Sequence, residues 1–589
     1  MMKKILFYSF LLFLFVPLLR QINVLPLKDI ELDGNTTMPT LSELNWHNWI
    51  NGVYQKKAEA VATENIGYRG AATRLRNQID YSLFNLAHSD KAVIGKHNIL
   101  FDEWYLDAWT GRTFIGKDFI DIKLHKLKMV QDTLEKLGTD LIFVLAPNKA
   151  DFFEEDIPEY YRQKRFPKNN YSYLAKRSEE LKLDFIDLNK YFLSIKETSN
   201  FPLYPKSGIH WSEYGSYIAL DTLLNYIEAK KNIDLNDISF DNIEITDTPT
   251  EADYDIGKNI NLLFEIPQWE MAYPKLRFED SPDKQKLKML VSADSYYFNI
   301  YNYKFTEHLF ANNAFWYYAH WVYPEMYSKT TESTNLDLRK EIEDKDIVLM
   351  MVTSRFMHNI DWLLIEKLFG FYYPDILWKK NYDRRNLIHI DHDYFFRLVG
   401  EAERHGLTTN EKLNKDIEYM FSLDNSAPKG KSVFDFVYEI MKNKEGLEPI
   451  VQKAKINNIA LRDQEINEGL FLFKAYIAEL IIKENEIRDD SLWFENVAKK
   501  ANEKGVSIED QLRDEAIFIM DGKAKVNDGA VDEPLKVQDP IKKDIKNLIN
   551  EIRANKEWMA EIEEKALKNE ISIEEQINLD AKWMLDNEN

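Results

Sequence analysis

The fold is predicted from one short stretch, Lys288-Met289-Leu290-Val291-Ser292-Ala293-Asp294-Ser295-Tyr296-Tyr297. Residues 287–291 are mainly apolar and predict a short buried strand, and the small residues after them predict a turn. A serine at the carboxyl end of such a strand exposes its hydroxyl, and the N–H groups of the turn point toward whatever the hydroxyl attacks. Ser295 is therefore a candidate nucleophile. Alternatively, Ser295 or Asp294 caps the helix that follows.

A second stretch adds a candidate base. Residues 205–215, Pro-Lys-Ser-Gly-Ile-His-Trp-Ser-Glu-Tyr-Gly, place a histidine in a loop. Apolar residues then recur at helical spacing from Tyr214 to Ile227, which predicts an amphipathic helix. A histidine at a helix start can act as a general base, although a lone histidine more often has a structural role. We interpret His210 as the base that serves Ser295.

The two stretches together carry a resemblance to a known family. Residues 208–215 (GIHWSEYG) and 290–297 (LVSADSYY) resemble the AlgX/AlgJ-type SGNH hydrolase-like domain of alginate O-acetyltransferases. In that family a D-x-H-W loop precedes a G-[TD]-S-[FY] nucleophile turn, and His210 likewise precedes Ser295. Further blocks between residues 50 and 370 fit in the same order: 64–69, 74–78, 93–96, 100–101, 146–149, 253–259 and 346–348. The resemblance implies an SGNH fold with Ser295 as nucleophile and His210 as base.

One position departs from the family pattern. The aspartate of the family's triad lies two positions before the histidine, where this chain has Gly208. Losing the orienting acid costs about 10⁴-fold in the worked serine-protease case. Asp294, beside the nucleophile, and Asp187, at the end of the predicted strand 184–188, are the candidate replacements. A weakly active or inactive protein is therefore the alternative to an enzyme.

Four further residues are predicted to line the site. The apolar strand Asp140–Leu145, typical of one buried on both faces, ends just before Asn148 and Lys149. Asn148 is a candidate oxyanion donor, or alternatively shapes the turn after Pro. Lys149 is a candidate contact to a carboxylate or an acyl donor. Trp211 and Tyr296, next to the base and the nucleophile, complete the predicted oxyanion or substrate-binding set.

The order of elements predicts the fold class. Strands and helices alternate, as in parallel α/β sheets, over helix 123–137, strand 140–145, helix 173–181, strand 184–188 and, beyond the nucleophile, strand 346–352. In such sheets ligands bind beyond the carboxyl ends of the strands, where we expect Asn148, His210 and Ser295. The prediction is an α/β, SGNH-hydrolase-like parallel sheet flanked by helices. The aromatic run 315–321 is a candidate glycan contact, although such clusters are more often core.

Composition limits the function classes. The chain has 589 residues, 45% of them hydrophobic, with a formal net charge of -22, and is long enough for two or three domains. This acidic balance argues against nucleic acid or an anionic membrane surface as the main partner. The sequence has no cysteine, so disulfides, thiolate metal sites and cysteine nucleophiles are excluded. No metal or nucleotide motif is visible, and we expect no cofactor and no metal.

The N-terminal residues predict an export signal. Lys3-Lys4, an apolar run from Ile5 to Leu19 and then Arg20 indicate a signal peptide or a signal anchor. The run is short for a spanning helix, but its flanking cations can snorkel. No small-x-small cleavage pattern follows, which favours an uncleaved anchor with the globular part outside the cytoplasm; a cleaved signal peptide is the alternative. The predicted segments are 1–24 (anchor), 25–50 (tether), 51–400 (SGNH hydrolase-like domain) and 401–589 (helical repeats).

The C-terminal region contains an internal repeat. Three segments share an apolar-x-x-Lys-Ala pattern and a later glutamine, near residues 440–471, 487–521 and 552–586. Ser507 and Ser572 are candidate helix N-caps, and Trp493, Trp558, Asp521 and Asp586 recur in the last two units. The pattern predicts helical hairpins, with a linker at 521–540. Such units pack on each other, on the catalytic domain or on a partner, so interaction or spacing is the expected role.

Two functions follow from these patterns. The first is an exported O-acetyltransferase that transfers acetyl groups to a polysaccharide or cell-surface glycan through a serine acyl-enzyme. The resemblance implies a membrane-bound O-acyltransferase partner as acetyl donor, and a location in the cell envelope. A carbohydrate acetylesterase would use the same chemistry with water as acceptor. The second is an SGNH-like glycan-binding or assembly protein without turnover, which Gly208 and the repeats favour.

Overall fold

The computed structural model describes residues 2–21, 30–34, 39–89, 91–279, 281–323, 331–424 and 427–520, and single positions 559, 562, 565, 573, 576, 577 and 580. By packing, the chain divides into two compact units. The first comprises residues 1–415 and 432–471, and the second comprises 416–431 and 472–589. The predicted division at residue 400 thus lies inside the first unit, which also contains the first repeat.

The strands of the described residues fall into three sheets. They are β1 (Ala92–Ile94), β2 (Leu100–Asp102), β3 (Asp140–Leu145), β4 (Phe185–Asp187), β5 (Ile238–Thr246), β6 (Met271–Phe278), β7 (Leu287–Ala293), β8 (Phe310–Tyr317), β9 (Trp321–Tyr323), β10 (Thr331–Glu332) and β11 (Ile347–Val352). β1 pairs with β2, and β5 with β6, each in an antiparallel two-stranded sheet. The other seven form the central sheet.

The central sheet has the strand order β10-β9-β8-β7-β11-β3-β4. β8, β7, β11, β3 and β4 are mutually parallel, which confirms the predicted α/β sheet. β9 and β10 extend it as antiparallel strands that the sequence did not predict. Because parallel strands end at one edge, the residues that follow β7, β8, β11 and β3 meet there.

The helices of the described residues are α1 (Met2–Gln21), α2 (Trp46–Ile50), α3 (Val53–Glu64), α4 (Arg69–Phe84), α5 (Glu103–Thr110), α6 (Lys117–Leu137), α7 (Lys149–Phe152), α8 (Glu159–Gln163), α9 (Asn170–Glu180), α10 (Leu188–Ile195), α11 (Glu213–Lys231), α12 (Asp255–Asn259), α13 (Tyr297–Tyr301), α14 (Phe305–Leu309), α15 (Leu338–Glu343), α16 (Leu364–Tyr372), α17 (Tyr382–Ile390), α18 (His392–Arg404), α19 (Thr409–Asp424), α20 (Val433–Lys442), α21 (Lys444–Asn457), α22 (Leu461–Asp489), α23 (Ser491–Lys504) and α24 (Ile508–Met520).

Apolar helix faces cover the sheet. α6 runs directly into β3 and buries a stripe that includes Leu124, Leu127 and Leu134. β3 and β11 are buried along their whole length, as expected for strands covered on both faces. In the aromatic run, Phe315 and Trp316 are buried core residues. The sheet edge that carries the predicted nucleophile therefore rests on a closely packed core.

The predicted anchor and tether contain two helices among the described residues. The apolar run forms α1, and α2 lies inside the predicted tether. Within the described residues, no helix combines the length and the apolar character that crossing a bilayer requires. Residues 22–29 and 35–38 of the predicted anchor and tether lie outside the described residues.

Each repeat contains the same two internal contacts. A lysine pairs with an acidic residue 15 positions later, and a glutamine donates to the same acid. The three sets are Lys453, Gln464 and Glu468; Lys500, Gln511 and Glu515; and Lys565, Gln576 and Asp580. The hydroxyl of Ser507 accepts from the N–H of Asp510, as a cap does. Asp521, Trp558, Ser572, Asp586 and the linker 521–540 lie outside the described residues.

Buried charges fix the first repeat to α6 and α9. The carboxylate of Asp121 accepts from Nε of Arg177 and Nε of Arg462, both at 2.9 Å. Arg177 also forms a bidentate pair with Asp463, and Arg462 pairs with Asp118 at 2.7 Å. Each buried charge thus has an opposite charge within hydrogen-bond reach. This network explains why the first repeat packs in the unit that contains the sheet.

Removing one charge from this network should destabilise the first unit. Asp463→Asn leaves the buried Arg177 with one carboxylate fewer, so we expect the free energy of unfolding to fall by about 3 kcal/mol. Asp510→Asn, at the matching position of the second repeat, changes an exposed residue and should cost less than about 1 kcal/mol. Urea titration followed by circular dichroism measures both. Equal losses in the two variants would contradict the role assigned to Asp463.

Candidate active site

The structure brings the predicted nucleophile and base together. Ser295 lies two residues beyond β7 and is half-buried. Its Oγ is 3.0 Å from Nε2 of His210, which lies in the loop before α11. A hydroxyl at this distance from an imidazole nitrogen is within reach for proton transfer.

The second ring nitrogen of His210 faces a carboxylate. Oδ2 of Asp255 is 3.7 Å from Nδ1 of His210, an ion-pair distance that is longer than a hydrogen bond. The other oxygen, Oδ1, accepts from the N–H groups of Ile209 at 2.9 Å and Ile256 at 2.7 Å. These bonds tie the carboxylate to the histidine loop. A carboxylate on this side favours the Nδ1–H tautomer and leaves Nε2 free to accept the proton of Ser295.

Packing at Gly208 explains why the acid comes from another segment. A Cβ at position 208 would lie 2.8 Å from the carbonyl oxygen of Ala252 and 2.9 Å from the carbonyl carbon of Asp253. These contacts are too close for any side chain larger than hydrogen without backbone movement. The segment that fills this space continues into Asp255. Position 208 therefore has no room for an aspartate, and the segment packed against it supplies a carboxylate instead.

The two predicted replacement acids have other partners. Asp294 is fully buried and accepts from the N–H and the hydroxyl of Thr353, both at 2.8 Å, and from the N–H of Tyr296. Burial raises the pKa of Asp294, and the hydrogen bonds from Thr353 oppose that shift. Asp187 caps α10 and accepts from Tyr171. Among the described residues, Asp255 is the carboxylate that forms an ion pair with His210.

Two of the predicted substrate-binding residues hold the histidine loop. Lys149 is 3% exposed, and its ammonium donates to the carbonyls of Lys206 at 3.0 Å and Gly208 at 2.7 Å. Burial lowers the pKa of Lys149 to about 7. The phenol of Tyr296 donates to the carbonyl of Ile209 at 2.9 Å. Both side chains thus fix the backbone immediately before His210.

Asn148 and Trp211, the other two residues of the predicted set, also contact neighbouring protein groups. Asn148 caps α7 with its Oδ1 and donates from Nδ2 to Asp151 at 3.2 Å. Trp211 is fully buried and packs against Phe192 and Tyr296. The oxyanion or substrate role of Asn148, Lys149, Trp211 and Tyr296 stays a prediction, because no bound molecule tests it.

A free backbone donor lies beside the hydroxyl of Ser295. The N–H of Tyr296 donates to Oδ1 of Asp294. In the part of the chain that the structure describes, the N–H of Ser295 donates no hydrogen bond. It is therefore available to an oxyanion that forms next to the Ser295 hydroxyl.

Asp253 places a second titratable group next to this site. It is fully buried, and burial raises its pKa to about 7, while the phenol of Tyr273, which donates at 2.8 Å, opposes the shift. A carboxyl whose pKa is higher in the folded state than in the unfolded state binds more protons when folded. Stability then falls as the pH rises from about 4 to about 7.

Asp253→Asn should remove this contribution. We expect the free energy of unfolding of the wild type, relative to the variant, to fall by up to about 4 kcal/mol between pH 4 and pH 7. Above pH 7 the difference should be constant. Denaturant titrations of both proteins at several pH values measure it. Parallel pH profiles would contradict the burial of an ionisable carboxyl at this position.

One known domain family matches the chain. Residues 93–261 match the family described as ALGX, SGNH hydrolase-like domain, acetyltransferase AlgX. The matched range contains His210 and Asp255 and ends before Ser295. No curated protein sequence matches the chain.

Several solved structures are similar to part of the chain. The O-acetyltransferase domain of Pseudomonas putida AlgJ is 15% identical, with 47% of this chain and 99% of that chain covered and a TM-score of 0.33. Pseudomonas aeruginosa AlgX is 13% identical, with 50% and 71% covered and a TM-score of 0.32. Bacillus cereus PatB1 is 12% identical, with 42% and 92% covered and a TM-score of 0.27. By the family match, residues 93–261 of this chain are similar to the SGNH hydrolase-like domain of acetyltransferase AlgX.

Proposed function

We propose that this protein is an O-acetyltransferase that moves acetyl groups onto a polysaccharide or cell-surface glycan through an acetyl-Ser295 intermediate. The observation that carries the proposal is the row of three groups: the Ser295 hydroxyl 3.0 Å from His210, and His210 3.7 Å from Asp255. The match to an acetyltransferase family over residues 93–261 supports the same reaction class.

The first half-reaction acetylates the serine. Oγ of Ser295 attacks the carbonyl carbon of an acetyl ester while Nε2 of His210 takes the hydroxyl proton. Asp255 stabilises the imidazolium that forms, and the N–H of Ser295 donates to the oxyanion. The tetrahedral intermediate then collapses. The bond to the leaving alcohol breaks, and that alcohol takes the proton from His210.

The second half-reaction transfers the acetyl group. A hydroxyl of the acceptor sugar loses its proton to Nε2 of His210 and attacks the carbonyl carbon of acetyl-Ser295. The ester bond to Ser295 breaks, and Oγ regains the proton from His210. The product is an acetylated sugar and free enzyme. Water in place of the sugar hydroxyl would make the protein an esterase, so the acceptor decides between the two activities.

The cellular setting belongs to the same proposal. The apolar run after Lys3-Lys4 supports export, with the globular part in the cell envelope outside the cytoplasm. An acetyl donor made in the cytoplasm would then need a membrane protein to pass it outward, and a membrane-bound O-acyltransferase fits that role. We propose in addition that α1 attaches the protein to the membrane.

An acceptor assay tests the proposal. The full chain is incubated with 4-nitrophenyl acetate, with and without a set of oligosaccharides, and both acetate release and the mass of each oligosaccharide are followed. We expect acetylated oligosaccharide to form at the expense of free acetate. Acetate release without any acetylated sugar would favour the esterase. No release above the rate in buffer would favour a glycan-binding or assembly protein.

A further inference from the structure

A cavity lies at the same sheet edge as Ser295. It has a volume of about 400 Å³, and its walls come from the segments that follow β8 and β11, the two neighbours of β7, and from the junction of α17 and α18. The N–H of Tyr318, in the wall, donates to the carbonyl of Ala293 at 2.9 Å. On the other side, Thr353 bonds to Asp294 and is followed two residues later by Arg355 in the wall. Both walls are thus bonded to residues just before the nucleophile.

Aromatic rings line this cavity. Tyr318 and Trp362 are half-buried, and their ring centroids are 5.4 Å apart. Phe356 lies 5.2 Å from Tyr318 and 5.9 Å from Trp362 and closes the cluster. Partly exposed aromatic faces are suited to the apolar face of a sugar ring, because they bury C–H groups and leave the hydroxyls at the edge.

The guanidinium of Arg355 completes the lining. Burial raises the pKa of the Asp102 carboxyl, and the charge of Arg355 opposes that shift. The guanidinium of Arg355 lies 4.0 Å from the ring centroid of Trp104 and contacts Nε2 of His392 at 3.3 Å. Burial, and then Arg355 itself, lower the pKa of His392 to about 3, so His392 is neutral and accepts from Arg355. Among the described residues no carboxylate oxygen lies within 4.0 Å of Arg355; its Nε and Nη2 face His392, and its Nη1 has no hydrogen-bond partner. That nitrogen is available to an oxygen of a ligand.

The backbone around the cavity is strained. Five non-glycine residues with positive φ belong to its wall or directly adjoin it: Tyr318, Ala319, Ile360, Trp362 and Leu363. Such conformations cost energy and persist where the surroundings impose them, commonly at ligand sites. Two contacts hold the loop that contains Trp362. Asp361 forms a buried ion pair with Lys123 at 2.9 Å, and the side chain of Asn359 accepts a hydrogen bond from the N–H of Trp362. The position of the Trp362 ring is therefore fixed in advance.

From this geometry we propose that the cavity is the acceptor subsite, which binds one sugar residue with its ring on Tyr318 and Trp362 and an oxygen on Arg355. The oxygen is a hydroxyl or a carboxylate of that sugar. This inference rests on the proposed acyl transfer, because it assigns the acceptor of that reaction. It makes Arg355 and Trp362 the residues that set acceptor specificity.

Direct binding tests this subsite without turnover. The full chain is titrated calorimetrically with cellohexaose, which is neutral, and with hexagalacturonate, which carries carboxylates. We expect at least one hexasaccharide to bind, and we expect Trp362→Ala and Arg355→Met each to weaken its binding by at least about tenfold. Trp362→Phe, which keeps an aromatic face, should restore part of the affinity. Preference for hexagalacturonate would assign a carboxylate to Arg355, and equal binding a hydroxyl.

Matched controls separate the outcomes. Trp493→Ala and Arg277→Met replace the same residue types at exposed positions outside the cavity and should bind sugar as the wild type does. Thermal unfolding of each variant reports whether it folds. Wild-type binding in both Trp362→Ala and Arg355→Met, or no binding of either sugar to the wild type, would overturn the subsite. A separate measurement tests the proposed function. If Ser295→Ala hydrolyses acetyl esters as fast as the wild type, the proposed function fails whether or not the cavity binds sugar.

Discussion

Replacing Ser295 with alanine is expected to lower both acetyl transfer and acetyl ester hydrolysis by about 10⁴-fold or more. In the proposed mechanism the Ser295 hydroxyl oxygen becomes acetylated, so loss of the hydroxyl removes the covalent path entirely. His210→Ala should have a similar effect, because without Nε2, 3.0 Å from Oγ, the hydroxyl has no base. The double variant should be no slower than either single variant, since the two groups act as a unit. Initial rates with 4-nitrophenyl acetate measure all three.

A serine on the same strand provides the control. Ser292 is fully buried on β7 and, within the described residues, its hydroxyl has no hydrogen-bond partner. Ser292→Ala should keep the wild-type rate within about twofold, since it changes no group of the site. Hydrolysis that is equally fast in the wild type, Ser295→Ala and His210→Ala would refute the assigned nucleophile and base.

Asp255→Asn should produce the second large effect. The amide keeps the bonds to the N–H groups of Ile209 and Ile256 through its oxygen but removes the negative charge that faces Nδ1 of His210. We expect kcat to fall by about 10² to 10⁴-fold with little change in KM, because the imidazolium exists in the transition state and not in the bound ground state. Steady-state kinetics with and without an acceptor measure both constants.

Asp187 and Asp294, the two replacement acids predicted from the sequence, serve as controls for Asp255→Asn. Asp187→Asn changes a helix cap that contacts Tyr171, so kcat should stay within about threefold of the wild type. Asp294→Asn disturbs a buried residue bonded to Thr353 and should lower the melting temperature more than Asp255→Asn does. A normal kcat in Asp255→Asn would show that another group orients His210.

The central sheet and the two segments that bring Ser295 next to His210 could be predicted because their signals are local. The apolar strand before Ser295 and the His-Trp loop before α11 are each readable within a dozen residues. The antiparallel strands β9 and β10 were not predicted, since their short segments carry no distinctive pattern. The family resemblance pairs the segment of His210 with the later segment of Ser295. No local pattern can show that two distant segments form one site.

Asp255 shows what the sequence could not provide. Its block, residues 253–259, belongs to the family resemblance, but the sequence pattern assigns it no role. The carboxylate reaches His210 only because the preceding residues pack against Gly208, a contact between segments far apart in the chain. The internal partners of Lys149 and Tyr296 were hidden for the same reason. A residue type at a strand end does not tell whether its side chain points to a ligand or to a neighbouring loop.

The central claim is that Ser295 carries the acetyl group, and one measurement tests it most directly. The full chain is mixed with 4-nitrophenyl acetate, quenched in acid within the first turnovers, digested and analysed by mass spectrometry. The account predicts one acetyl group on the peptide that contains Ser295, and none on that peptide in Ser295→Ala. An unmodified Ser295 peptide alongside rapid ester turnover, or the same modification in Ser295→Ala, would contradict it.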